Sequence, residues 1–382
     1  MDEPGFAAAL QDIRHRLHQI PETAFQEFKT SDCVSGQLAA CGVEVARGVG
    51  GTGVVGTLRR GSGNRCIGFR ADMDALAVPE AGIPAYRSLH EGRMHACGHD
   101  GHMAMVLGAA LLLSRAGDWS GTVRFVFQPA EEPGKGAKAM LDDGLLTRFP
   151  MDEIYGIHSM PGLPLGQFAT RAGGINASED NFAIRIQGRG AHAARPHMAI
   201  DPILVGAEIV LALQSIVARN LDPTGQAVVS VTEFITDGTR NVIPGTVTIK
   251  GDTRSYAAEV QALLERRMAA LCAGICAAHG AGLDFRYTHE FEPTVNPPQC
   301  LEWVVKAAAE AAGGEQVDGD CRPVMGSEDF GVFLKLIPGN YLQLGAGVDA
   351  VPLHNPGFDF DDRLLVPGAR YFAALARQRL RE

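Results

Sequence analysis

Hydrophobic and polar positions follow one consistent pattern along the first 175 residues. Residues 5–18 repeat apolar side chains with a helical period, and the pattern stops before Pro21. Residues 103–115 are apolar nearly all round, which predicts a buried helix. Short apolar runs predict strands at 54–58, 67–70, 122–127 and 153–157. Strands separated by helices favour an α/β fold with a mainly parallel sheet covered on both faces.

A different pattern begins near Asn176. Phe182, Ile184 and Ile186 alternate with polar or small residues, as in a half-exposed strand. The next predicted elements are a helix at 203–218, strands at 227–235 and 242–250, a helix at 257–279 and a strand at 283–288. Their order, β-α-β-β-α-β, is that of ferredoxin-like α+β folds. A sheet of this kind leaves an edge or a face uncovered, which favours self-association.

The α/β pattern returns in the last third of the chain. A strand is predicted at 340–344, and helices are predicted at 301–312, 328–336 and 364–380. We therefore expect one discontinuous α/β domain at 1–175 and 290–382, with a smaller domain inserted at 176–289. A chain of 382 residues is long enough for two domains of ~100–200 residues each.

The net charge, the cysteine content and the apolar runs limit the classes of function and the cellular location that we expect. A net charge of −10 argues against nucleic-acid binding, which requires a basic face. The eight cysteines are scattered and form no disulfide framework, so we expect a reducing, cytoplasmic location. The amino-terminal residues lack the apolar segment of a signal peptide. The longest apolar run, 103–113, is shorter than the ~20 residues that span a bilayer, so we expect no membrane segment.

One stretch concentrates side chains that bind metals or move protons. From residue 94 it reads MHACGHDGH, with a thiol, three imidazoles and a carboxylate. Asp72, the pair Glu131 and Glu132, and His158 each follow a predicted strand. Sites in open α/β sheets form at the carboxyl ends of the strands, so these side chains should converge. His354, in a loop after the last predicted strand, is expected to join them.

Five of these residues have the chemistry of a two-metal site. Thiolate and imidazole ligands suit zinc, nickel, cobalt or manganese better than calcium. Two metals ~3.5–4 Å apart usually share a bridging group, and the thiolate is the candidate bridge here. For each residue taken singly, the alternative is a satisfied core side chain. The candidate ligands are Cys97, His99, Glu132, His158 and His354.

The remaining polar residues near this set are candidates for proton transfer and orientation. Glu131 and Glu132 are adjacent, so one can bind a metal while the other exchanges a proton with water and a leaving amine. The alternative for the pair is a solvated turn. Asp72 is a candidate for orienting a metal ligand, as are Asp100 and His102. For His102, capping or packing the following helix is an equal alternative.

The inserted domain carries a second concentrated patch, GRGAHAARPH at 188–197. Its glycines and proline predict a tight loop that presents His192, whose imidazole could stabilise a tetrahedral oxyanion. Asn241 and Arg254 flank the third strand of the insert. Arg254 is a candidate for a two-pronged pair with a substrate carboxylate, and the alternative is a surface salt bridge.

Taken together, the motifs resemble a known family. MHACGHDGH, QPAEE, GIHSMPGLPLG, GRGAHAARPH, NVIPGTV, MGSEDFG and LHNPGFDFDD occur in family order over nearly the whole chain, as does the early RHxLHxxPE element. The chain is similar to the hippurate hydrolase, N-acyl-amino-acid amidohydrolase and auxin-conjugate hydrolase branch of the dinuclear metallopeptidases. One departure is visible: Leu76 is followed by Ala77-Val78-Pro79, where the family has proline directly.

The resemblance implies a zinc-peptidase-like catalytic domain at 1–175 and 290–382, and a lid and dimerisation domain at 176–289. It implies two divalent metal ions on the five candidate ligands, and general acid/base work for Glu131. It also implies that His192 completes the active site of a second subunit in a homodimer or higher homo-oligomer. Asn241 and Arg254 are implied to position the carboxylate of the substrate.

We therefore expect a metal-dependent amidohydrolase that cleaves the amide bond of a small N-acyl or N-aroyl amino acid with a free carboxylate. One alternative is a dipeptidase or aminopeptidase with the same machinery. Another is a hydrolase of an unusual C–N bond. A metal-binding dimer without turnover is the alternative from a different class.

Overall fold

The computed structural model describes residues 2–312 and 316–381. These residues form two compact units. The larger comprises Met1–Ile175, Asn296–Arg322 and Asp329–Glu382. The smaller comprises Asn176–Val295 and Pro323–Glu328. The predicted boundary at 289 falls inside a strand that continues to Phe291.

The described residues form both α-helices and β-strands. The α-helices are α1 (Glu3–His18), α2 (Phe28–Ala40), α3 (His99–Arg115), α4 (Gly136–Asp142), α5 (Leu145–Arg148), α6 (Pro202–Arg219), α7 (Ala258–His279), α8 (Leu301–Ala312), α9 (Gly331–Leu334) and α10 (Leu365–Arg379). The strands are β1 (Glu44–Val49), β2 (Gly53–Arg60), β3 (Cys66–Asp72), β4 (Gly121–Gln128), β5 (Glu153–Pro161), β6 (Phe168–Ala169), β7 (Gly173–Asn176), β8 (Glu179–Gln187), β9 (Ala191–His192), β10 (Ala227–Thr236), β11 (Val242–Ile243), β12 (Thr246–Ser255), β13 (Gly282–Phe291), β14 (Thr294–Asn296), β15 (Val317–Asp318) and β16 (Gly339–Gly347).

The larger unit is built on an eight-stranded sheet in the order β1-β2-β4-β3-β5-β16-β6-β15. Its centre, β4-β3-β5-β16, is parallel, whereas β1 and β2 are antiparallel additions at one edge. The mainly parallel α/β sheet predicted from the sequence is therefore confirmed. Asp72 pairs with Gln128, the last residue of β4, so β3 and β4 end at the same edge of the sheet.

Helix α3 packs its whole first turn into the larger unit. It begins at His99, four residues before the predicted start, because Gly98 adopts a left-handed conformation (φ 85°) that turns the chain into the helix. A Cβ atom on Gly101 would lie 2.3 Å from the ring of Phe360. The polar residues of MHACGHDGH are all buried: His99, Asp100 and His102 lie in the first turn of α3, and His95 and Cys97 lie in the turn just before it.

The smaller unit is a four-stranded antiparallel sheet in the order β10-β12-β8-β13, with α6 and α7 packed against it. Phe182, Ile184 and Ile186 of β8 are buried in its core, as the alternating pattern predicts. The ferredoxin-like arrangement expected from the sequence is confirmed.

Helix α6 is long and apolar enough, by length and composition, to cross a membrane. In the structure Val205, Ile209 and Leu213 are buried in the core of the smaller unit. A third of the helix is buried, and Leu211 on its outer face is 74% exposed. The helix therefore uses one apolar face to pack on its own sheet.

Candidate metal centre

The five predicted metal ligands converge in the larger unit. Ligand atoms of Cys97, His99 and His158 all lie within 4.8 Å of one another. Those of Cys97, Glu132 and His354 form a second group with the same spacing. The Cys97 thiol therefore belongs to both groups, which is the position of a bridging ligand in a dinuclear site.

The His99 ring is oriented towards carboxylates. Its Nδ1 donates a 2.7 Å hydrogen bond to the carbonyl oxygen of Asp74, so Nε2 is the atom available to a metal. Nε2 is buried without a hydrogen-bond partner in the described part of the chain. Carboxylate oxygens of Asp72, Glu132 and Glu131 lie 3.8, 3.9 and 4.0 Å from it, outside hydrogen-bonding distance.

Backbone contacts also orient the other two imidazoles. His158 lies within β5 rather than after it, and its Nδ1 donates to the carbonyl oxygen of Ser159 at 2.7 Å. Its Nε2 lies 3.4 Å from the Cys97 sulfur. His354 adopts a left-handed conformation (φ 63°), and its amide donates to the carbonyl oxygen of Ala96 at 2.8 Å. This brings His354 Nε2 within 3.5 Å of Glu132 Oε2.

Asp74 fixes the two glutamates, a role that sequence reasoning missed. Its two carboxylate oxygens accept the backbone amides of Glu131 at 2.9 Å and Glu132 at 3.1 Å. One buried carboxylate therefore holds the backbone of both glutamates. The signal in the sequence was the second acid of Ala71-Asp72-Met73-Asp74, which follows Asp72 by two residues.

Asp72 contacts the metal centre through His102. The Ser159 amide donates to His102 Nε2 at 3.0 Å, so the Nδ1 atom of His102 carries the proton that is donated to Asp72 at 2.8 Å. The rings of His102 and His158 are 4.4 Å apart. Of the two alternatives for His102, the geometry favours support of a candidate ligand. Arg70 also donates to Asp72, at 2.8 Å.

Asp100 is occupied by a different set of contacts. It accepts hydrogen bonds from Arg14 and His18, both at 2.8 Å, and both partners are buried on α1. His18 also reaches Glu80 with its other ring nitrogen, at 3.2 Å. Asp100 therefore links α1 to the start of α3 instead of contacting a candidate ligand.

The electrostatics of the cluster favour cations. Burial, followed by Glu132 and Glu131, raises the pKa of the Cys97 thiol well above its usual value. Burial raises the pKa of Glu132 to about 7. Burial opposes the His99 imidazolium, but the carboxylates, Asp72 first, raise the pKa of His99 to about 10. Several carboxylates therefore surround two buried atoms, His99 Nε2 and Glu132 Oε1. Neither atom has a hydrogen-bond partner among the described residues. Thiol, imidazole and carboxylate together fit divalent transition metals.

The residue predicted to stabilise the oxyanion, His192, and the predicted substrate-binding residues, Asn241 and Arg254, lie in the smaller unit. His192 is exposed on β9, which pairs with β11, and the Ala193 amide donates to the carbonyl oxygen of Asn241 at 3.0 Å. The structure thus brings His192 and Asn241 together. Arg254 is engaged in two ion pairs, with Glu179 at 2.8 Å and Asp252 at 2.7 Å.

Comparison with known proteins identifies the family. The chain matches the model of peptidase family M20/M25/M40 over residues 68–378. It is 38% identical over 371 residues to a hippurate hydrolase of Campylobacter jejuni, covering 97% of this chain and 96% of that one. It is 38% identical over 373 residues to thermostable carboxypeptidase 2 of Saccharolobus solfataricus, covering 95% and 93%. A dinuclear metal-binding peptidase of the M20 family from Bacillus subtilis matches at 32% identity with a TM-score of 0.86, covering 99% of both chains. The chain therefore belongs to peptidase family M20/M25/M40.

Proposed function

We propose that this protein is a dinuclear metallo-amidohydrolase. Its reaction would cleave the amide bond of an N-acyl or N-aroyl amino acid to give a carboxylic acid and a free amino acid. The observation that carries the proposal is the membership of Cys97 in two ligand groups, with Glu131 beside them. Hippurate is an N-aroyl amino acid, so the similarity to a hippurate hydrolase supports this substrate class.

Two divalent cations would be held by the five ligands. Cys97, His99 and His158 would hold one, and Cys97, Glu132 and His354 the other, with the thiolate as bridge. Manganese, zinc, nickel and cobalt all suit this donor set. When bound, such ions polarise the amide carbonyl and lower the pKa of water from ~15.7 towards ~7.

Glu131 is the proposed general base and acid. Its carboxylate would take a proton from the attacking water and deliver it to the amide nitrogen as the C–N bond breaks. Glu131 is 6% exposed, and its Oε2 lies 4.0 Å from His99 Nε2, so it borders the metal centre rather than bulk solvent. Its fixed backbone amide, held by Asp74, supports a defined position for proton transfer.

Asp72 is proposed to support the site indirectly. By accepting the Nδ1 proton of His102, it would hold that ring against His158 and keep His158 Nε2 directed at the Cys97 sulfur. Burial opposes ionisation of Asp72, but His99, His102 and Arg70 outweigh it and hold the pKa of Asp72 well below its usual range. The carboxylate therefore stays charged at neutral pH.

The segment 176–289 is proposed to act as a lid and dimerisation domain for a catalytic domain at 1–175 and 290–382. The His192 imidazole would stabilise the oxyanion, and Asn241 and Arg254 would hold the free carboxylate of the substrate. Because Arg254 is already paired with Glu179 and Asp252, an incoming carboxylate would replace one of them.

We further propose a cytoplasmic homodimer or higher homo-oligomer, in which His192 completes the site of a second subunit. Exposed apolar side chains of the smaller unit support self-association: Leu211 is 74% exposed, Ile235 48% and Phe234 41%. All eight cysteines are unpaired, as expected in a reducing compartment. The net charge of −10 argues against a nucleic-acid partner.

The test is amide hydrolysis by the metal-stripped protein after reloading with manganese, zinc, cobalt or nickel. N-acetyl, N-benzoyl and indole-acetyl amino acids are compared with unblocked dipeptides and longer peptides. Metal-restored cleavage of the blocked amino acids is the expected result. The similarity to a carboxypeptidase favours peptide cleavage as the second candidate, and activity confined to unblocked peptides would support it instead.

A further inference from the structure

Two left-handed non-glycine residues of the larger unit, Ala130 and His354, lie at the candidate metal centre. The described residues include three non-glycine residues in the left-handed region: Phe25 (φ 58°), Ala130 (φ 50°) and His354 (φ 63°). His354 is a candidate metal ligand, and Ala130 directly precedes Glu131. Such conformations cost energy and persist only where the surrounding structure imposes them. The contacts that impose the conformation of Ala130 therefore bear on the position of the proposed general base.

Glu27 makes the contact that holds Ala130. Its Oε1 atom accepts the Ala130 amide at 2.9 Å and the Phe25 amide at 3.0 Å. Its Oε2 atom accepts the hydroxyl of Thr52. Glu27 is fully buried. Two of the three left-handed residues thus donate to one oxygen of one buried carboxylate.

Three consecutive backbone amides, those of residues 130–132, therefore hold the turn by donating to buried carboxylates. Ala130 donates to Glu27, and Glu131 and Glu132 donate to the two oxygens of Asp74. The three amide groups have no freedom to rotate independently, because each is bonded to a buried acceptor. Loss of the first bond would let Ala130 relax towards an ordinary backbone conformation and would turn the following residue with it.

We infer that Glu27 is a positioning residue, which sets the direction of Glu131 and Glu132 through the Ala130 amide. The inference rests on the function proposed above, in which Glu131 relays the proton. Glu27 ends the segment PETAFQE at 21–27, which overlaps the last two residues of the early motif, and its carboxylate accepts hydrogen bonds from Phe25, Thr52 and Ala130 rather than from a candidate ligand side chain. Its effect would therefore be exerted through the backbone of the turn at Ala130.

The experiment compares Glu27→Leu with Glu27→Gln, because the amide side chain keeps an oxygen for the Ala130 amide and leucine does not. Glu22→Leu is the matched control. Glu22 is a buried glutamate of the same segment, and its carboxylate accepts the Thr30 amide at 2.9 Å and hydroxyl at 3.1 Å, within α2. Each variant is measured for thermal midpoint, metal affinity by competition with a chelating dye, kcat and KM.

Glu27→Leu should lower kcat by ~10–100-fold with little change in KM, since small displacements of a catalytic group have effects of this size. Its metal affinity should also fall, because Glu132 shares the displaced turn. Glu27→Gln should retain both properties. Glu22→Leu should lower the thermal midpoint and leave kcat and metal affinity unchanged. If Glu27→Leu does not fold, Glu27→Asp withdraws the acceptor by one methylene, and the same losses are expected.

Unchanged kcat and metal affinity in Glu27→Leu would overturn the inference and leave Glu27 a structural residue. Equal losses in Glu27→Leu and Glu27→Gln would also overturn it, since charge rather than the acceptor would then matter. If the wild type cleaves no substrate, the proposed function fails, and the metal affinities of the variants still decide whether Glu27 positions the turn.

Discussion

Replacing Arg14 with methionine should destabilise the larger unit by ~3–5 kcal/mol. The guanidinium is fully buried and lies 2.8 Å from the equally buried carboxylate of Asp100. Without Arg14, the buried Asp100 carboxylate would keep only its ion pair with His18, and breaking a buried ion pair costs about 3–5 kcal/mol. The contacts with Asp359 and Asp362 should add little, because those side chains are 44% and 23% exposed and exposed pairs contribute ~0–1 kcal/mol.

The effect of this substitution should depend on pH. Burial opposes ionisation of Asp100, but Arg14 and His18 outweigh it and hold the pKa of Asp100 well below its usual range. A lowered folded-state pKa contributes stability that is complete above the unfolded value, ~3.9 for aspartate, and is lost as the pH falls through the folded value. The difference between wild type and Arg14→Met should therefore be full at pH 7 and shrink below pH ~4.

Urea unfolding followed by tryptophan fluorescence measures the free energy of unfolding of the larger unit, which contains Arg14. Both tryptophans, Trp119 and Trp303, belong to the larger unit, so their signal follows its unfolding. Metal is removed first, because differences in binding would otherwise enter the free energy of unfolding. Arg16→Met on the same helix is the matched control, since its pair with Asp12 is exposed and should contribute less than ~1 kcal/mol. An Arg14→Met protein within ~1 kcal/mol of both wild type and control at pH 7 would refute the buried-pair reasoning.

Four further outcomes test the site. Glu131→Gln should bind metal like the wild type but lose ~10²–10⁴-fold in kcat, and near-native turnover would contradict its role as base. Cys97→Ser should bind fewer than two ions in metal analysis after dialysis, because one sulfur serves both ligand groups. Arg254→Ala should raise KM for substrates with a free carboxylate more than for the corresponding esters; equal changes would exclude it from carboxylate binding. If His192 of one subunit completes the site of the other, mixing the inactive Glu131→Gln and His192→Ala proteins should restore activity, because a mixed dimer has one site with both residues intact. No recovery of activity would contradict a shared site.

The sequence predicts the fold and the convergence of the ligands because both depend on patterns within short segments. Alternating Phe182, Ile184 and Ile186 identify a strand, and polar residues at strand ends identify a sheet edge. Helix α2 and strand β1 were missed. Only Thr30, Ser31, Val34 and Leu38 of α2 are buried, so its apolar stripe is too short to stand out. The predicted helix at 328–336 is also shorter, Gly331–Leu334.

The contacts that orient the ligands are harder to predict, because they join backbone atoms to side chains that are distant in sequence. Glu27 and Ala130 are separated by 103 positions, and Asp74 and Glu131 by 57. A backbone amide has no residue-specific signature, so no pattern marks it as the partner of a particular acid. The partners of Arg254 were not predicted either, since several carboxylates occur on the strands around it.

The order of the candidate ligands along the chain gives the metal centre a topological effect. Cys97, His99, Glu132 and His158 precede the inserted unit, and His354 follows it. Metal binding would therefore cross-link the two chain segments that flank the insert. This link would add to the one that the pairing of β5 with β16 already provides. The entropy of closing such a loop rises only with the logarithm of its length. The insert should thus tolerate lengthening or replacement at little thermodynamic cost to the metal centre, whereas cutting the chain within it should make stability more dependent on metal.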